Sequence, residues 1–174
     1  MNFLYEGIAV LEVPNEISIA FTLLGCPHQC KNCHSKDYWQ SSLMTRNTTL
    51  GIHFSAENVK NILNNRAFKD HEHATCLLFL GGDWEMSFFL DTIKVLRHTY
   101  HTSSAIKQYN FAWYTSLHLT DLQVYPELFD YFDFIKTGPY IEDKGPLNKK
   151  GTNQQFWSRQ FLDTTYLFRN EEKL

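Results

Sequence analysis

The chain has 174 residues, with 16 lysines and arginines against 19 aspartates and glutamates, and a formal net charge of −3 at pH 7. Hydrophobic residues make up 43% of the sequence and charged residues 20%, which is ordinary for a globular protein and excludes an intrinsically disordered one. An isoelectric point near 6.2, without a basic block, argues against a protein that binds nucleic acid by neutralising phosphates.

The length favours a single domain over residues 1–174. No apolar stretch approaches the roughly 18 residues that a membrane-spanning helix needs. Residues 1–14 also lack the basic and apolar regions of a signal peptide. We therefore expect no membrane partner and a cytoplasmic location, where cysteines stay reduced.

The first predicted elements in the chain are strands. Residues 3–13 favour one strand, and residues 17–24 form a β-prone run that stops at Gly25. Ser55 is then predicted to cap a helix that extends to about Phe68. The later predicted strands are short apolar or aromatic runs: 76–80, 110–115 and 133–137.

Helices are predicted between these strands. A helical pattern over residues 85–100 places apolar side chains on one side and Arg97 on another. A shorter helix over residues 122–132 is interrupted at Pro126, and residues 140–155 read as a loop. This alternation predicts an α/β fold with right-handed βαβ units and a mainly parallel sheet. A closed eightfold barrel takes about 250 residues, so the chain is long enough for only part of one.

Three of the four cysteines lie within eight residues, at Cys26, Cys30 and Cys33, in the spacing C-x3-C-x2-C. Such a short loop allows three thiolates to converge on one polynuclear centre. Structural zinc sites take four protein ligands, and ferredoxin clusters take four cysteines. Three thiolates on a 4Fe–4S cube leave one iron free to bind a small molecule. The alternative is a zinc knuckle with His28 or His34 as the fourth ligand.

This loop resembles the signature of the radical S-adenosylmethionine superfamily. The resemblance implies an incomplete β/α barrel and a 4Fe–4S cluster that is ligated by Cys26, Cys30 and Cys33. It further implies that S-adenosylmethionine binds the open iron and is flanked by the backbone of Asn32 and His34. An electron from the cluster would split its sulfonium bond, leaving methionine and a hydrogen-abstracting 5′-deoxyadenosyl radical.

A second motif, Gly81-Gly82-Asp83, follows the strand over residues 76–80, where the superfamily usually carries Gly-Gly-Glu. Ligands of open α/β sheets bind at the carboxyl ends of strands, which is the end that carries the cysteine loop. The resemblance implies that Gly81, Gly82 and Asp83 hold the methionine end of the cofactor. The alternative is a plain turn in which Asp83 caps the helix that begins near Glu85.

Within the superfamily, the chain resembles the anaerobic ribonucleoside-triphosphate reductase activating proteins. The resemblance rests on the Gly-Gly-Asp turn and on four segments: 24–34, 112–115, 132–140 and 151–154. It implies an enzyme that installs a glycyl radical on an anaerobic ribonucleotide reductase, its protein substrate. An external one-electron donor, such as flavodoxin or ferredoxin, would supply the electron.

The sequence leaves the roles of several other residues open. Lys136 and Thr115 line the cofactor pocket or are ordinary polar residues at strand ends. The isolated Cys76 is predicted to be a buried small hydrophobic residue. Five residues of the loop over 140–155 contact the protein partner or belong to a solvated loop: Lys144, Lys149, Lys150, Asn153 and Gln154.

Two other functions compete with the activase. The first is a small-molecule radical S-adenosylmethionine enzyme such as a 7-carboxy-7-deazaguanine synthase. It requires further ligands for a heterocyclic substrate and often a magnesium site, for which we identify no residues. The second is a zinc-binding interaction module, which would have no catalytic activity.

Overall fold

A mixed α/β architecture is built around one eight-stranded sheet, with a separate two-stranded ribbon. The computed structural model describes residues 1–33, 35–40, 43–44, 49–65, 67, 69–102, 106–159 and 162–168. The sheet contains β1 (Asn2–Ala9), β2 (Ser18–Leu23), β5 (Ile52–His53), β6 (Cys76–Leu80), β7 (Asn110–Tyr114), β8 (Phe134–Thr137), β9 (Gln155–Ser158) and β10 (Leu162–Asp163). The ribbon pairs β3 (Leu43–Met44) with β4 (Thr49–Leu50).

Four α-helices are present in the described part of the chain. They are α1 (Ala56–Leu63), α2 (Met86–Thr102), α3 (Leu119–Leu122) and α4 (Leu128–Tyr131). Within these ranges, no helix combines the length and the apolar character needed to cross a membrane.

The strand order is β10-β9-β8-β7-β6-β2-β1-β5. The four central strands β2, β6, β7 and β8 pair in parallel, while the outer pairs are antiparallel. The prediction of a mainly parallel sheet is therefore correct for the centre and wrong for the flanks. The βα alternation specifies only the parallel pairs. By contrast, β9 and β10 add to the edge by reversing the chain after β8, and no sequence pattern indicates them.

Most predicted elements are observed, with changes at their ends. Ser55 caps α1, since its Oγ accepts a hydrogen bond from the backbone N–H of Asn58 at 3.2 Å. The helix ends at Leu63, and Phe68, its predicted end, lies outside the described residues. The predicted helix over 122–132 is observed only in part: α4 lies within this range, whereas α3 ends where the range begins, and Pro126 lies between the two helices.

One face of the central strands packs against the helices, and we call it the helix face. Its core is aromatic: the ring centroid of Phe79 lies 5.5 Å from that of Phe21, 6.1 Å from Phe54 and 5.9 Å from Phe111. Phe89 of α2 joins this cluster. Aromatic packing at these distances adds to the gain from burying the rings and fixes the helices on the sheet.

The opposite face, which we call the cavity face, carries a smaller apolar cluster. Ala20, Leu78 and Ala112 pack there under Val13 and Leu147, which come from two connecting segments. Cys76 belongs to the same cluster and is fully buried, as predicted. Burial raises the pKa of the Cys76 thiol far above its ordinary value, which keeps it protonated and unreactive.

Arg97 departs from the helical pattern that placed it away from the core. It is only 5% exposed, and its guanidinium donates to the carboxylate of Asp133 at 2.6 and 3.2 Å. Asp133 also accepts a hydrogen bond from the backbone N–H of Phe111 at 2.8 Å. A buried arginine is tolerated here because its charge is paired and hydrogen-bonded.

Candidate functional site

The cysteine loop begins directly after β2 and is closed at its base. The N–H of Gly25 donates to the carbonyl of Tyr38 at 3.0 Å, and Gly25 adopts a positive φ of 95° that turns the chain away from the strand. Inside the loop, the N–H of Cys33 donates to the carbonyl of Cys30 at 3.0 Å. Cys26, Cys30 and Cys33 are all partly buried free thiols.

The other two thiols of the motif contribute to the electrostatic environment of Cys26. Burial raises the pKa of Cys26, a hydrogen bond from the backbone of His28 lowers it, and the charges of Asp83, Cys30 and Cys33 raise it again. The net shift is upward. Because a thiol must lose its proton to bind a metal, metal binding would release the proton of Cys26.

The Gly81–Gly82 turn requires glycine at both positions, since their φ values are 87° and 94°. A Cβ at Gly81 would lie 2.9 Å from the ring of Trp84, and one at Gly82 would lie 2.8 Å from the ring of Phe89. Gly81 lines the cavity described below, whereas Gly82 packs against the helix-face core. The Gly81 carbonyl accepts a hydrogen bond from the indole N–H of Trp113 at 2.8 Å.

Asp83 is almost completely buried, with 1% of its side chain exposed. Its Oδ2 accepts hydrogen bonds from the Thr115 hydroxyl at 2.6 Å, the Ser116 N–H at 3.0 Å and the Ser116 hydroxyl at 2.7 Å. Its Oδ1 lies 3.3 Å from Nε2 of His28. Burial acts to raise the pKa of Asp83, but these hydrogen bonds and His28 outweigh it and leave the pKa below its ordinary value.

The capping role considered for Asp83 is wrong. Gly82 occupies the N-cap position of the short 3-10 turn that leads into α2, and no side chain caps that turn. Asp83 follows β6, and its carboxylate instead accepts hydrogen bonds from Thr115 and Ser116, which follow β7. Its contact with a cofactor stays a prediction.

A cavity of about 720 Å³ lies on the cavity face, at the carboxyl ends of the central strands. Cys26 and Cys33 line it on one side, and Gly81, Thr115 and Lys136 line it on the strand side. Lys136 and Thr115 therefore face the same space as two of the predicted cluster ligands. A pocket at this end of a parallel sheet is the usual ligand site of such folds.

Lys136 brings a positive charge into this cavity from β8. Burial lowers the pKa of Lys136 to about 8, while Glu12, Cys30 and Cys33 oppose that shift. Its Nζ lies 5.4 Å from the centroid of the Tyr114 ring. The low pKa shows that the surroundings of the ammonium group only partly replace its hydration.

The outer side of the cysteine loop contacts the loop over residues 140–155. Lys31 Nζ lies 2.8 Å from a carboxylate oxygen of Glu142, and the Asn32 side chain donates to the same carboxylate. Both contacts lower the pKa of Glu142. Asn32 is exposed, and the role of its backbone at a cofactor stays a prediction. His34 lies outside the described residues.

The five loop residues proposed to contact a partner divide into two groups. Asn153 and Gln154 hold the loop against the chain, donating to the carbonyls of Pro139 at 2.8 Å and Gly138 at 3.3 Å. The other three are exposed, as both a partner contact and a solvated loop require: Lys144, Lys149 and Lys150.

Zinc coordination was the main alternative for the cysteines. Zinc holds its four ligands at about 2.0–2.3 Å from a single ion. Among the residues that the structure describes, no group of three or more His, Cys, Asp and Glu side chains is arranged to hold one ion. His34, a candidate fourth ligand, is not among them.

Sequence reasoning missed three residues that organise the site: His28, Ser116 and Glu142. From the sequence, His28 is predicted only to be a zinc ligand or a loop residue. Ser116 follows Thr115 at the end of a predicted strand, and that position was the available signal. Nothing in the sequence singled out Glu142, because its partners Lys31 and Asn32 lie more than a hundred residues away.

The fold and the site define a mixed α/β protein with a cysteine-lined cavity at the carboxyl ends of its parallel strands. Residues 17–157 match the family model described as a 4Fe-4S single cluster domain. This match covers well over half of the chain, so the protein belongs to that family and contains a 4Fe–4S cluster domain. No curated protein and no solved structure matches the chain.

Proposed function

We propose that this protein is a glycyl-radical activase of the radical S-adenosylmethionine type, acting on an anaerobic ribonucleotide reductase. One observation carries the proposal: the cysteine loop and the Gly81–Asp83 turn border a single cavity, although about fifty residues separate them in sequence. The family match supplies the type of cluster, and the resemblance of the motifs supplies the reaction and the partner.

The donor set fits a 4Fe–4S cluster that keeps one iron open. Cys26, Cys30 and Cys33 are free and partly buried, and the charges of Cys30 and Cys33 contribute to the raised pKa of Cys26. When bound, the cluster would supply the electron that splits S-adenosylmethionine into methionine and a 5′-deoxyadenosyl radical, which takes a hydrogen atom from a glycine of the reductase. The three thiolates would hold the cluster beside the cavity, which Cys26 and Cys33 line.

The cavity fits the proposed cofactor in size and in chemistry. Its volume of about 720 Å³ lies within the ordinary range for small-molecule sites. Lys136 places a cation there, and Gly81 allows the backbone to approach a ligand closely. Glu6 and Tyr38 line the side nearer the cysteine loop.

The sheet supports an incomplete barrel that is open to a protein substrate. β2, β6, β7 and β8 are neighbours in space in their chain order and are parallel, and α2 packs on the helix face, away from the cavity. In a β/α barrel, the helices likewise lie outside and the ligand lies within the strand ends. In the proposed incomplete barrel, the open side would admit a peptide loop of the reductase.

The test begins with protein prepared without oxygen and reconstituted with iron and sulfide. We expect about four irons per chain and an absorption band at about 400 nm. A reductant and S-adenosylmethionine should then yield 5′-deoxyadenosine, and adding the reductase should give a glycyl doublet in its EPR spectrum. The matched control is Cys30→Ala, which keeps the loop and removes one thiolate.

The competing functions give different results in the same experiment. One zinc per chain with no uptake of iron would establish the zinc module. Iron uptake and 5′-deoxyadenosine formation without a glycyl signal on the reductase would favour an enzyme that acts on a small molecule.

A further inference from the structure

Three side chains from separate parts of the chain meet beside the cysteine loop. His28 lies between Cys26 and Cys30, and its Nε2 is 2.6 Å from the Ser116 hydroxyl. That hydroxyl lies 2.7 Å from Oδ2 of Asp83. The same His28 nitrogen is 3.3 Å from Oδ1 of Asp83. We call His28, Ser116 and Asp83 the loop latch.

The direction of the hydrogen bonds follows from the number of protons available. Ser116 has one hydroxyl proton, and the carboxylate of Asp83 can only accept. The hydroxyl therefore donates to Asp83, because a charged acceptor makes the stronger bond. His28 must then donate from Nε2 to the Ser116 oxygen. This chain requires a proton on Nε2 and leaves Nδ1 outside it.

Asp83 is itself held rigidly, which makes it an anchor. Thr115, the Ser116 N–H and the Ser116 hydroxyl all donate to its Oδ2. Thr115 and Ser116 directly follow β7, and Asp83 directly follows the glycine pair at the end of β6. The latch thus ties the middle of the C-x3-C segment to the ends of two central strands.

We propose that His28, Ser116 and Asp83 are positioning residues that hold the segment between Cys26 and Cys30 in place beside the cavity, and that Asp83 acts on this segment through His28. This inference rests on the proposed function in taking Cys26 and Cys30 as cluster ligands. Removing a residue that orients a metal ligand through a hydrogen bond commonly weakens metal retention by about 10- to 100-fold.

The ion pair on the outer side of the loop contributes less than the latch. Lys31 is 82% exposed where it meets Glu142, and an ion pair in solvent contributes little. The latch is better shielded from water: the side chain of His28 is 34% exposed and that of Asp83 1%, against 82% for Lys31 and 35% for Glu142. Hydrogen bonds to a charge are stronger where water is excluded. We therefore expect the latch to determine the position of the loop.

The experiment compares His28→Ala, His28→Gln and Ser116→Ala with wild type. Gln can donate from an amide nitrogen at about the place of the histidine Nε2, so it tests the hydrogen bond rather than the ring. Gln29→Ala, a truncation of an exposed neighbour in the same loop, is the control. Iron loss from reconstituted protein to an iron(II) chelator is followed by absorbance.

We expect His28→Ala and Ser116→Ala to take up the same amount of iron as wild type and to lose it about tenfold faster. His28→Gln should restore most of the retention, and Gln29→Ala should match wild type. Equal rates of loss in His28→Ala and wild type would overturn the proposal, as would a His28→Gln variant no better than His28→Ala.

A second measurement needs no cluster. In the metal-free protein, iodoacetamide should alkylate Cys26 and Cys30 faster in His28→Ala than in wild type, while the buried Cys76 stays protected. Modification of Cys76 would show that the variant is unfolded, and Ser116→Ala would then replace it. Unchanged alkylation of Cys26 and Cys30 in a folded variant counts against the latch.

These results separate the latch from the proposed function. If the latch variants lose iron faster but wild type never generates a glycyl radical, the activase proposal fails and the latch stands. If the wild type activates the reductase but the latch variants hold iron equally well, the latch fails and the activase proposal stands.

Discussion

Neighbouring residues of β6 face opposite environments. Phe79 enters the aromatic core of the helix face, while Leu78 and Leu80 turn to the cavity face. The helix face is closed by large rings, whereas the cavity face carries small residues such as Ala20 and Ala112 and leaves a space of about 720 Å³. The large aromatic core thus lies on one side of the strands and the cavity on the other, so substitutions can be directed at each side separately.

Among the substitutions considered, we expect the largest effect from removing a thiol of the cysteine loop. Cys30→Ala should abolish cluster retention and cleavage of S-adenosylmethionine, because two thiolates do not hold the cluster. Iron content, absorbance at about 400 nm and 5′-deoxyadenosine formation measure this. The fold should be unaffected, since Cys30 is only partly buried. Full cleavage activity in this variant would refute the assignment of the motif.

A substitution on the helix face should lower the stability of the fold and leave iron binding intact. Phe79→Ala should lower the free energy of unfolding by about 3–5 kcal/mol, because it leaves a cavity among four rings. Denaturant titration of the metal-free protein measures this. The folded fraction should still bind iron. Leu80→Ala, one residue along the same strand on the cavity side, is the control and should cost clearly less; an equal loss would contradict the comparison of the two faces.

Lys136 tests whether a buried charge on the cavity face lowers the stability of the fold. Its pKa is lowered from 10.5 to about 8, so between these values the unfolded chain binds the proton and the folded protein does not. Stability therefore rises with pH across this window. Lys136→Met should raise the melting temperature of the metal-free protein below pH 8, by less than Phe79→Ala lowers it.

The difference in melting temperature between Lys136→Met and wild type should shrink as the pH rises from about 8 towards 10.5. Over this range, Lys136 of the folded wild type is neutral, so the cost of its buried charge is absent. Melting curves of both proteins over this range provide the measurement. A constant difference across the range would mean that packing, not charge, separates the two proteins.

The smallest effect is expected at Cys76, the cysteine outside the motif. Cys76→Ala should cost about 1 kcal/mol, since it removes one small buried group from the cavity-face cluster. Iron content and cofactor cleavage should match wild type. Loss of iron in this variant would identify Cys76 as a ligand.

The local sequence pattern was sufficient to predict the central strands and the long helix. The apolar run Cys76–Leu80 and the helix α2 are observed close to their predicted positions, because periodicity and terminating glycines act within a few residues. The cysteine spacing and the Gly-Gly-Asp motif are equally local. For this reason, the amino-acid sequence by itself identifies the candidate ligands and the glycine turn.

The tertiary structure alone decided how these local pieces are joined. The sequence does not reveal that His28 reaches Asp83 through Ser116, or that Glu142 meets Asn32, because these contacts span 55 to 110 residues. The antiparallel flanks of the sheet and the burial of Arg97 against Asp133 depend on distant partners in the same way. A residue type and its spacing specify which chemistry is available, whereas the packing of the strands fixes which groups meet and which are shielded from water.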